Sequence, residues 1–401
     1  MLTLDQALAE VLAQAAHRPP VQLPLADSLG SILREDLLAD RPIPPFDRVT
    51  MDGFAIRSQD FQAPHSSFYI IGEQPAGAKP VLTIEAGQAI RTMTGAMLPL
   101  GADAIIQVEN TSEADGQVTV TQERVQSGLN IAKQGEDAQQ GTRFLGPGQV
   151  ITPSLIAFAA SVGKAELLVG PALSLAVLST GDEIVPPENQ PEDYQIRDAN
   201  GPALIALGQE LGIHSSFLGI CPDQEEALKS SIAKGLESDI LLLSGGVSMG
   251  DYDLVPKIFK ELGVTEVFHK VYMKPGKPIW FGRGPKGCYV FGLPGNPVSA
   301  QVGFKLFVEP LALRLLGHNR PEPQYLQLPL AQAIKKKNPR ETFIPAVIVS
   351  LAGQSFLEER IIRGSGDFSN LILSDGLMRF PAESKGASAK EMVSFLPWRR
   401  L

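Results

Sequence analysis

A multidomain α/β protein with a central, mainly parallel sheet is the fold this sequence predicts, and three observations carry that prediction. From Leu173 to Gly317 strand-like and helix-like segments alternate, the pattern of a parallel sheet covered by helices on both faces and so of three layers. Between Met51 and Gly146 the pattern changes to short apolar runs separated by Gly, Asp and Asn, which reads as a β-rich insertion. The chain has 401 residues, more than one core accommodates, and a prior of ~150 residues per domain gives roughly two to four domains.

In chain order, Thr3 and Gln6 form a capping box ahead of Leu4, Ala7, Leu8, Val11, Leu12 and Ala15 at helical spacing, until Pro19 and Pro20 stop the helix. A second helical stretch is expected from Ser28 to Leu38, followed by RPIPPFD as a stiff extended linker. FYII, VLTI, AIIQVE and QVTV are the strand candidates of the insertion, and Pro153 to Val162 is helix-like again, expected to rejoin the N-terminal helical segment. LSLAVLS, SSFLGI, DILLLSG, VTEVFHKVYM and CYVFG then supply strands, and NGPALIALGQELG, EEALKSSIAKGL, LVPKIFKELG and PVSAQVGFKLFVEPLALRLLG supply helices. Beyond Pro321 the runs QYLQLPLAQAI, TFIPAVIVSL and GLMRF are short and β-like, so a small barrel or sandwich closes the chain, with Lys335 to Lys337 as a solvated turn. The expected divisions are an extended helical region of 1–45 with 146–170, a β-rich insertion at 46–145, a central α/β domain at 171–320 and a C-terminal β domain at 321–401.

A formal charge of −9 and a pI near 5.2 argue against a broad nucleic-acid surface, so local basic turns must do any anion binding. Cys221 and Cys288 fit a reduced, cytoplasmic setting as packed core thiols, and with five scattered His they give no zinc spacing. The N-terminus MLTLDQALAEVL lacks the basic start and apolar core of a secretory signal. No stretch approaches the ~20 apolar residues of a membrane span.

Residues 241–254 read LLLSGGVSMGDYDL, an apolar run that breaks at Gly245 and Gly246 and then offers Asp251 and Asp253. Amides from Ser244 to Ser248 can converge there on an anion near the start of the next helix. Neither the Lys of a Walker A loop nor GxGxxG spacing is present. Acids in that place suggest a metal bridging protein and phosphate. In KPGKP, Lys274 and Lys277 flank a turn stiffened by two Pro, and in LPGNPVS, Asn296 and Ser299 stand near a helix N-terminus. Each turn alone is as readily an ordinary strand-to-helix connection. Three of them at the carboxyl ends of successive strands, where open α/β sheets bind ligands, favour a site.

SGGVSMGDYD, KPGKP and LPGNPVSA, in this order with PPFDRVTMDGFA at 44–55, RTMTGAMLP at 91–99, NIAKQGED at 130–137, LSTGDE at 178–183 and IRDANGPAL at 196–204, resemble the molybdopterin molybdenumtransferase family, which includes the gephyrin E domain. The resemblance runs from the first helix to near the C-terminus. It implies an extended helical segment, a β-rich insertion, a central molybdenum-cofactor α/β domain and a C-terminal β domain, in a homodimer whose cleft is shared. It further implies insertion of molybdate into adenylated molybdopterin with release of AMP, dependent on a divalent cation such as Mg2+. A molybdopterin adenylyltransferase upstream and molybdoenzyme apo-proteins downstream are the protein partners this suggests.

By the same resemblance, Glu183, Asp223 and Asp253 hold Mg2+, with Asp182 and Asp251 as alternates, and Asp223 is also a good helix cap. Asp52 of MDG and Asp137 of GED complete the catalytic set across the dimer, and Thr94 matches a polar family position that is equally an ordinary strand-end Thr. Lys274, Lys277 and Ser299 match the oxyanion pocket, which Arg340 of NPRETF and Ser365 of RGSGDFS close. Lys270 is a candidate phosphate contact, and Asp198 and Asn200 cap a helix and shape the pterin pocket. Arg48, Val49 and Thr50 occupy the stretch where the family more often has a Ser two positions before Met-Asp-Gly, and Asp367 stands where an apolar residue is frequent. The competing readings are a molybdopterin adenylyltransferase, whose equivalent turn is TGGTG, and a scaffold that keeps the fold for anchoring.

Overall fold

The computed structural model describes residues 1–16, 18–246, 254–361, 367, 369 and 371–399. They form two compact units, one of residues 1–34, 147–152 and 166–401, the other of residues 35–146 and 153–165.

The smaller unit is built on a six-stranded sheet in the order Ala104–Gln107, Gly53–Ile56, Gln88–Thr92, Ser67–Gln74, Gln117–Val120, Thr111–Ala114. Phe54, Phe68, Ile106 and Val118 pack in one cluster and Ala55, Ile90 and Ile105 in another, as strand alternation requires when both faces are covered. FYII, AIIQVE and QVTV thus contribute strands, but VLTI does not: Val81 is 85% exposed and only Thr83 makes a bridge, to Leu100. The helix Pro153–Ser161 lies in this unit with Phe158 against Phe144, ring centroids 4.4 Å apart. It lies in the unit that also holds residues 35–45, whereas the first helix lies in the other; residues 21–24 pair with 166–169 within that other unit.

The helix expected from Ser28 to Leu38 does not form. The amides of Leu33 and Arg34 donate to the carbonyls of Gln149 and Leu168, both at 2.8 Å, and Leu37–Leu38 pairs with Arg143–Leu145. A stretch of about three turns nucleates a helix poorly, and these long-range partners bury Ile32, Leu33 and Leu37 in extended conformation instead.

In the larger unit, α1 (Leu4–Ala13) begins with the capping box that its sequence predicts: Gln6 N donates to Thr3 Oγ1 at 3.2 Å and Thr3 N to Gln6 Oε1 at 3.0 Å. Its apolar face, Leu4, Ala7 and Val11, is buried on the central core. That core surrounds a sheet made from β1 (Ser174–Thr180), β2 (His214–Cys221), β3 (Ile240–Ser244), β4 (Thr265–His269), β6 (Trp280–Arg283) and β7 (Tyr289–Leu293). The order is β2-β1-β3-β7-β6-β4, parallel through β7 and antiparallel for β6 and β4. Leu175, Val177, Ile240 and Leu242 pack with α1, α2 (Asn200–Glu210), α5 (Pro297–Gly303) and α6 (Glu309–Leu316). Their neighbours Ala176, Leu178, Leu241 and Leu243 pack with α3 (Glu225–Gly235) and α4 (Val255–Glu261). Both cysteines are buried and free, and burial pushes the Cys288 thiol up to about 12.

The C-terminal part is β-rich. Short β5 (Met273–Lys274) leads a sheet of order β5-β9-β11-β12-β8, where β8 is Leu326–Pro329, β9 Glu341–Leu351, β11 Gly376–Phe380 and β12 Met392–Pro397; β10 (Gln354–Glu359) also pairs with β9. Strand β5 therefore carries Lys274 out of the central region into direct register with Thr342. No helix among the described residues is long and apolar enough to cross a membrane.

Between α5 and α6 a π-turn, Phe304–Val308, buries Lys305 and Glu309 at 4% and 7% exposure. Lys305 Nζ donates to Glu309 Oε2 at 2.8 Å and to the Trp398 carbonyl at 2.6 Å. Removing one partner leaves a buried charge uncompensated, whereas replacing both is often neutral. Lys305→Met is expected to lose about 3–5 kcal/mol in urea unfolding, and the double variant Lys305→Met, Glu309→Leu to regain most of it; equal losses in both would show that the two charges do not depend on each other.

Candidate functional site

The carboxyl ends of the central strands form one row. Thr180 is paired with Cys221, Ser179 with Ser244 and Ser244 with Leu293, while Gly292 faces Trp280, which faces His269. All three turns singled out in the sequence thus open from the same end of the sheet, the end where open α/β sheets bind ligands.

The glycine turn after β3 is held by backbone approach. Gly245 has φ +97°, a Cβ there would lie 2.5 Å from the Thr180 carbonyl oxygen, and its own amide donates to the Leu293 carbonyl at 3.1 Å. That amide is consequently spent on the fold, which removes it from the amides of Ser244 to Ser248 expected to converge on an anion. Ser244 is buried, and its hydroxyl accepts from Asn200 Nδ2 at 2.7 Å. The same Asn200 nitrogen donates to the Gly295 carbonyl at 2.7 Å, so one side chain joins the starts of two loops and α2. Asn200 Oδ1 is buried with no partner among the described residues. Asp198 caps α2 as expected, its Oδ1 accepting from the amides of Asn200 and Gly201 at 3.0 Å and its Oδ2 from the Ser179 hydroxyl at 2.8 Å.

The acids gather after β1 and β2. Asp182 Oδ1 accepts from the Asp223 amide at 3.1 Å, and the Gly181 amide donates to the Cys221 carbonyl at 3.3 Å. Glu183 folds back over Gly181, where a Cβ would come within 2.5 Å of Glu183 Oε2. Asp182, Glu183 and Asp223 are exposed, and neither Asp182 nor Glu183 has a basic partner among the described residues. Their donors are all carboxylate oxygens, which suits a hard divalent cation that keeps several waters. No group of three candidate metal ligands occurs among the described residues; Asp251 and Asp253 lie outside them.

The bases meet elsewhere along the same end. Lys274, Lys277, Asn296, Ser299 and Arg340 line one cavity of about 560 Å³. Arg340 is braced there, its Nη1 donating to the Met273 carbonyl at 3.1 Å and its amide to Asn338 Oδ1 at 2.8 Å. Lys270, at φ +74°, is not among the lining residues. Asp182 lines a second cavity of about 610 Å³, so acids and bases do not share one cavity among the described residues. Ser248 and Ser365 lie outside the described residues.

Sequence reasoning missed part of the cavity. Lys335, Lys336 and Lys337 line it, and Ile334–Lys335 is a strand paired with Gly386–Ala387, which corrects their reading as a mere solvated turn. Lys336 Nζ donates to the carbonyls of Pro381, Ala382 and Ser384, and burial lowers its pKa. Glu359, half-buried, also lines the cavity, and burial raises its carboxyl pKa. The signal for the lysines was their run; for Glu359 nothing in the sequence stood out.

In the smaller unit, Asp52 and Thr94 come together across 42 residues. Asp52 Oδ1 accepts from the Thr94 amide at 2.6 Å and its hydroxyl at 2.9 Å, and these bonds hold the Asp52 carboxyl below the usual carboxylate range. Asp137 is exposed, in a turn where its amide donates to the Ile43 carbonyl at 3.0 Å.

Comparison with known proteins agrees along the chain. The family models described as "MoeA N-terminal region (domain I and II)", "Probable molybdopterin binding domain" and "MoeA C-terminal region (domain IV)" match residues 2–163, 176–314 and 327–398. The molybdopterin molybdenumtransferase of Staphylococcus aureus is 33% identical, over 98% of this chain and 95% of its own. That of Staphylococcus epidermidis is 32% identical over the same shares. A solved molybdopterin biosynthesis MoeA protein from Pyrococcus horikoshii OT3 superposes with a TM-score of 0.84 at 28% identity, covering 99% of this chain and 100% of the other.

The glycine turn can be tested directly. Gly245→Ala forces a side chain into a left-handed conformation and against a carbonyl, and a loss of about 1–3 kcal/mol is expected in urea unfolding; an unchanged midpoint would mean that the turn relaxes at no cost.

Proposed function

We propose, for a chain that belongs to the MoeA family of molybdopterin molybdenumtransferases, a Mg2+-dependent reaction in which molybdate is inserted into adenylated molybdopterin and AMP is released. The protein is a transferase of molybdenum cofactor biosynthesis. The observation that carries the finer reading is the convergence of Lys274, Lys277 and Arg340, with Ser299, on one cavity. Molybdate is a tetrahedral dianion, and fixed cations with hydroxyl donors are what such an ion requires. Arg340 grips two oxygens at once, which a lysine in its place could not do.

Glu183, Asp223 and Asp253 are assigned to Mg2+, with Asp182 and Asp251 as alternates. The ion would neutralise charge on the attacked and leaving oxygens of the pyrophosphate. The chain's own part is to hold the acids after β1 and β2, the lysines after β4, and Asn296 and Ser299 after β7. From β1 to β6 is three strand steps, about 14 Å at ~4.8 Å per step, a span suited to a substrate with its pyrophosphate at one end and its metal-accepting dithiolene towards the other. Asp52, Thr94 and Asp137 are assigned to completing the site across a homodimer. In this reading the protein works in the cytoplasm, takes its substrate from a molybdopterin adenylyltransferase and passes its product to apo-molybdoenzymes. Matches over the N-terminal and C-terminal regions disfavour an adenylyltransferase, which needs neither.

Purified protein with Mg2+, molybdate and adenylated molybdopterin is expected to release AMP, and chelation with EDTA to stop it; EDTA-resistant release would remove the metal from the scheme. Glu183→Gln and Asp253→Ala should each lower kcat by about 100-fold or more with the fold intact, given the several kcal/mol that a catalytic metal supplies. Arg340→Lys should raise KM for molybdate about tenfold, the size of a lost charged hydrogen bond. An unchanged KM would place the oxyanion elsewhere.

A further inference from the structure

The cavity has a second pole. Strand β9 pairs along one edge with β11, from Thr342 to Ala346. Its other edge is shared: β5 occupies it at Glu341 and Thr342, and β10 takes over at Ala346, opposite Glu359. No strand among the described residues covers Phe343, Ile344 and Pro345 on that side, and these residues line the cavity. The cavity thus lies along a gap in the edge of β9. Lys274 stands at one lip, opposite Thr342, and Glu359 at the other, opposite Ala346. The lips are four residues apart on β9, about 14 Å at ~3.4 Å per residue.

The two lips differ in chemistry. Lys274, Lys277 and Arg340 gather at the first, and Glu359 has no hydrogen-bond or ion-pair partner among the described residues although several lysines line the same cavity. Phe343, Ile344 and Pro345 form an apolar wall between. An ionised carboxylate is acceptor-only and can take two parallel N–H bonds. We propose that Glu359 is a specificity-determining residue that accepts the two N–H donors of a 2-amino-4-oxo-pyrimidine edge, the donor edge of a pterin, while the anionic part of the same ligand lies at the lysine lip. The assignment rests on the transferase reading and adds a residue to it. Burial that raises the Glu359 pKa agrees, since a carboxyl held half-buried without a partner gains most when a ligand supplies donors.

The probes are pterin (2-amino-4-oxopteridine) and lumazine, in which an oxo group replaces the 2-amino donor, titrated into the full chain by their own fluorescence. The wild-type protein is expected to bind pterin roughly tenfold or more tightly than lumazine, as a bidentate contact gives. Glu359→Gln, which offers one acceptor and one donor, should abolish that preference and raise KM for adenylated molybdopterin about tenfold while leaving KM for molybdate within twofold. Equal binding of the two pteridines by the wild-type protein would overturn the assignment, and this arm does not depend on the variant folding. So would a Glu359→Gln protein that changes KM for molybdate alone, which would set Glu359 against the oxyanion. AMP release by the wild-type protein separates the two levels: its absence counts against the transferase reading, whereas its presence with an unaltered KM in Glu359→Gln counts against Glu359 only.

Discussion

The close approach of three loops at the carboxyl end of the central sheet is the constraint on which the site depends. Gly245 can sit against Thr180 and bond to Leu293 only because it lacks a Cβ, and Asn200 ties the start of α2 to Ser244 and Gly295 with two hydrogen bonds of 2.7 Å. A buried amide that makes two bonds of that length rigidifies what it joins. Parallel pairing fixes the rest. Because β2, β1, β3 and β7 run the same way in fixed register, with one bulge between β1 and β2 after Val177, their ends cannot slide independently, and the acids after β1 and β2 keep their distance from the turns after β3 and β7.

Separation of charge follows from that row. Had the lysines after β4 lain next to the acids after β1, they would have formed ion pairs, and both sets would have been neutralised before a ligand arrived. With β3 and β7 between them, at about 4.8 Å per strand, direct pairing is out of reach. The lysine cavity is then free to attract an oxyanion, in a protein whose net charge of −9 would otherwise repel one. Lys336 shows the alternative fate, since its ammonium is consumed by three backbone carbonyls.

How much of this was legible depended on whether the signal was local. The capping box at Thr3, the all-apolar ILLL of β3 and the glycine at 245 each act within a few residues, and each was read from the chain. Ser28 to Leu38 has helical spacing too, but its hydrogen-bond partners lie more than a hundred residues away, at Gln149 and Leu168. Trp280–Arg283 was missed because it extends the parallel sheet in the antiparallel sense, where no alternation with a helix announces it. Lys274 and Lys277 were read from the KPGKP turn and Arg340 from the resemblance, whereas Lys335 and Glu359 join them only through the path of β9 and its neighbours, which no spacing encodes.

Several features unfavourable to folding lie among the residues of the proposed site. Asn200 Oδ1 is buried and Glu359 half-buried, each without a partner among the described residues, and the cavity gathers several lysines on one side. Other buried charges are matched: Lys305 and Glu309 pair with each other, and Arg379 in the C-terminal sheet is held by Glu341 and Asp5, although His269 Nε2, Arg283 Nη1 and Arg360 Nε are also buried without a hydrogen-bond partner among the described residues. An unmatched buried polar group costs about 1–3 kcal/mol, which a fold under selection for stability alone would remove by a conservative change such as Glu359→Gln. Where such groups line the proposed site, a charged, donor-bearing ligand would supply the missing partners. Asp182 and Glu183 after β1 likewise stay exposed with no basic partner among the described residues, and a carboxylate already satisfied by a lysine is a poor ligand for a cation.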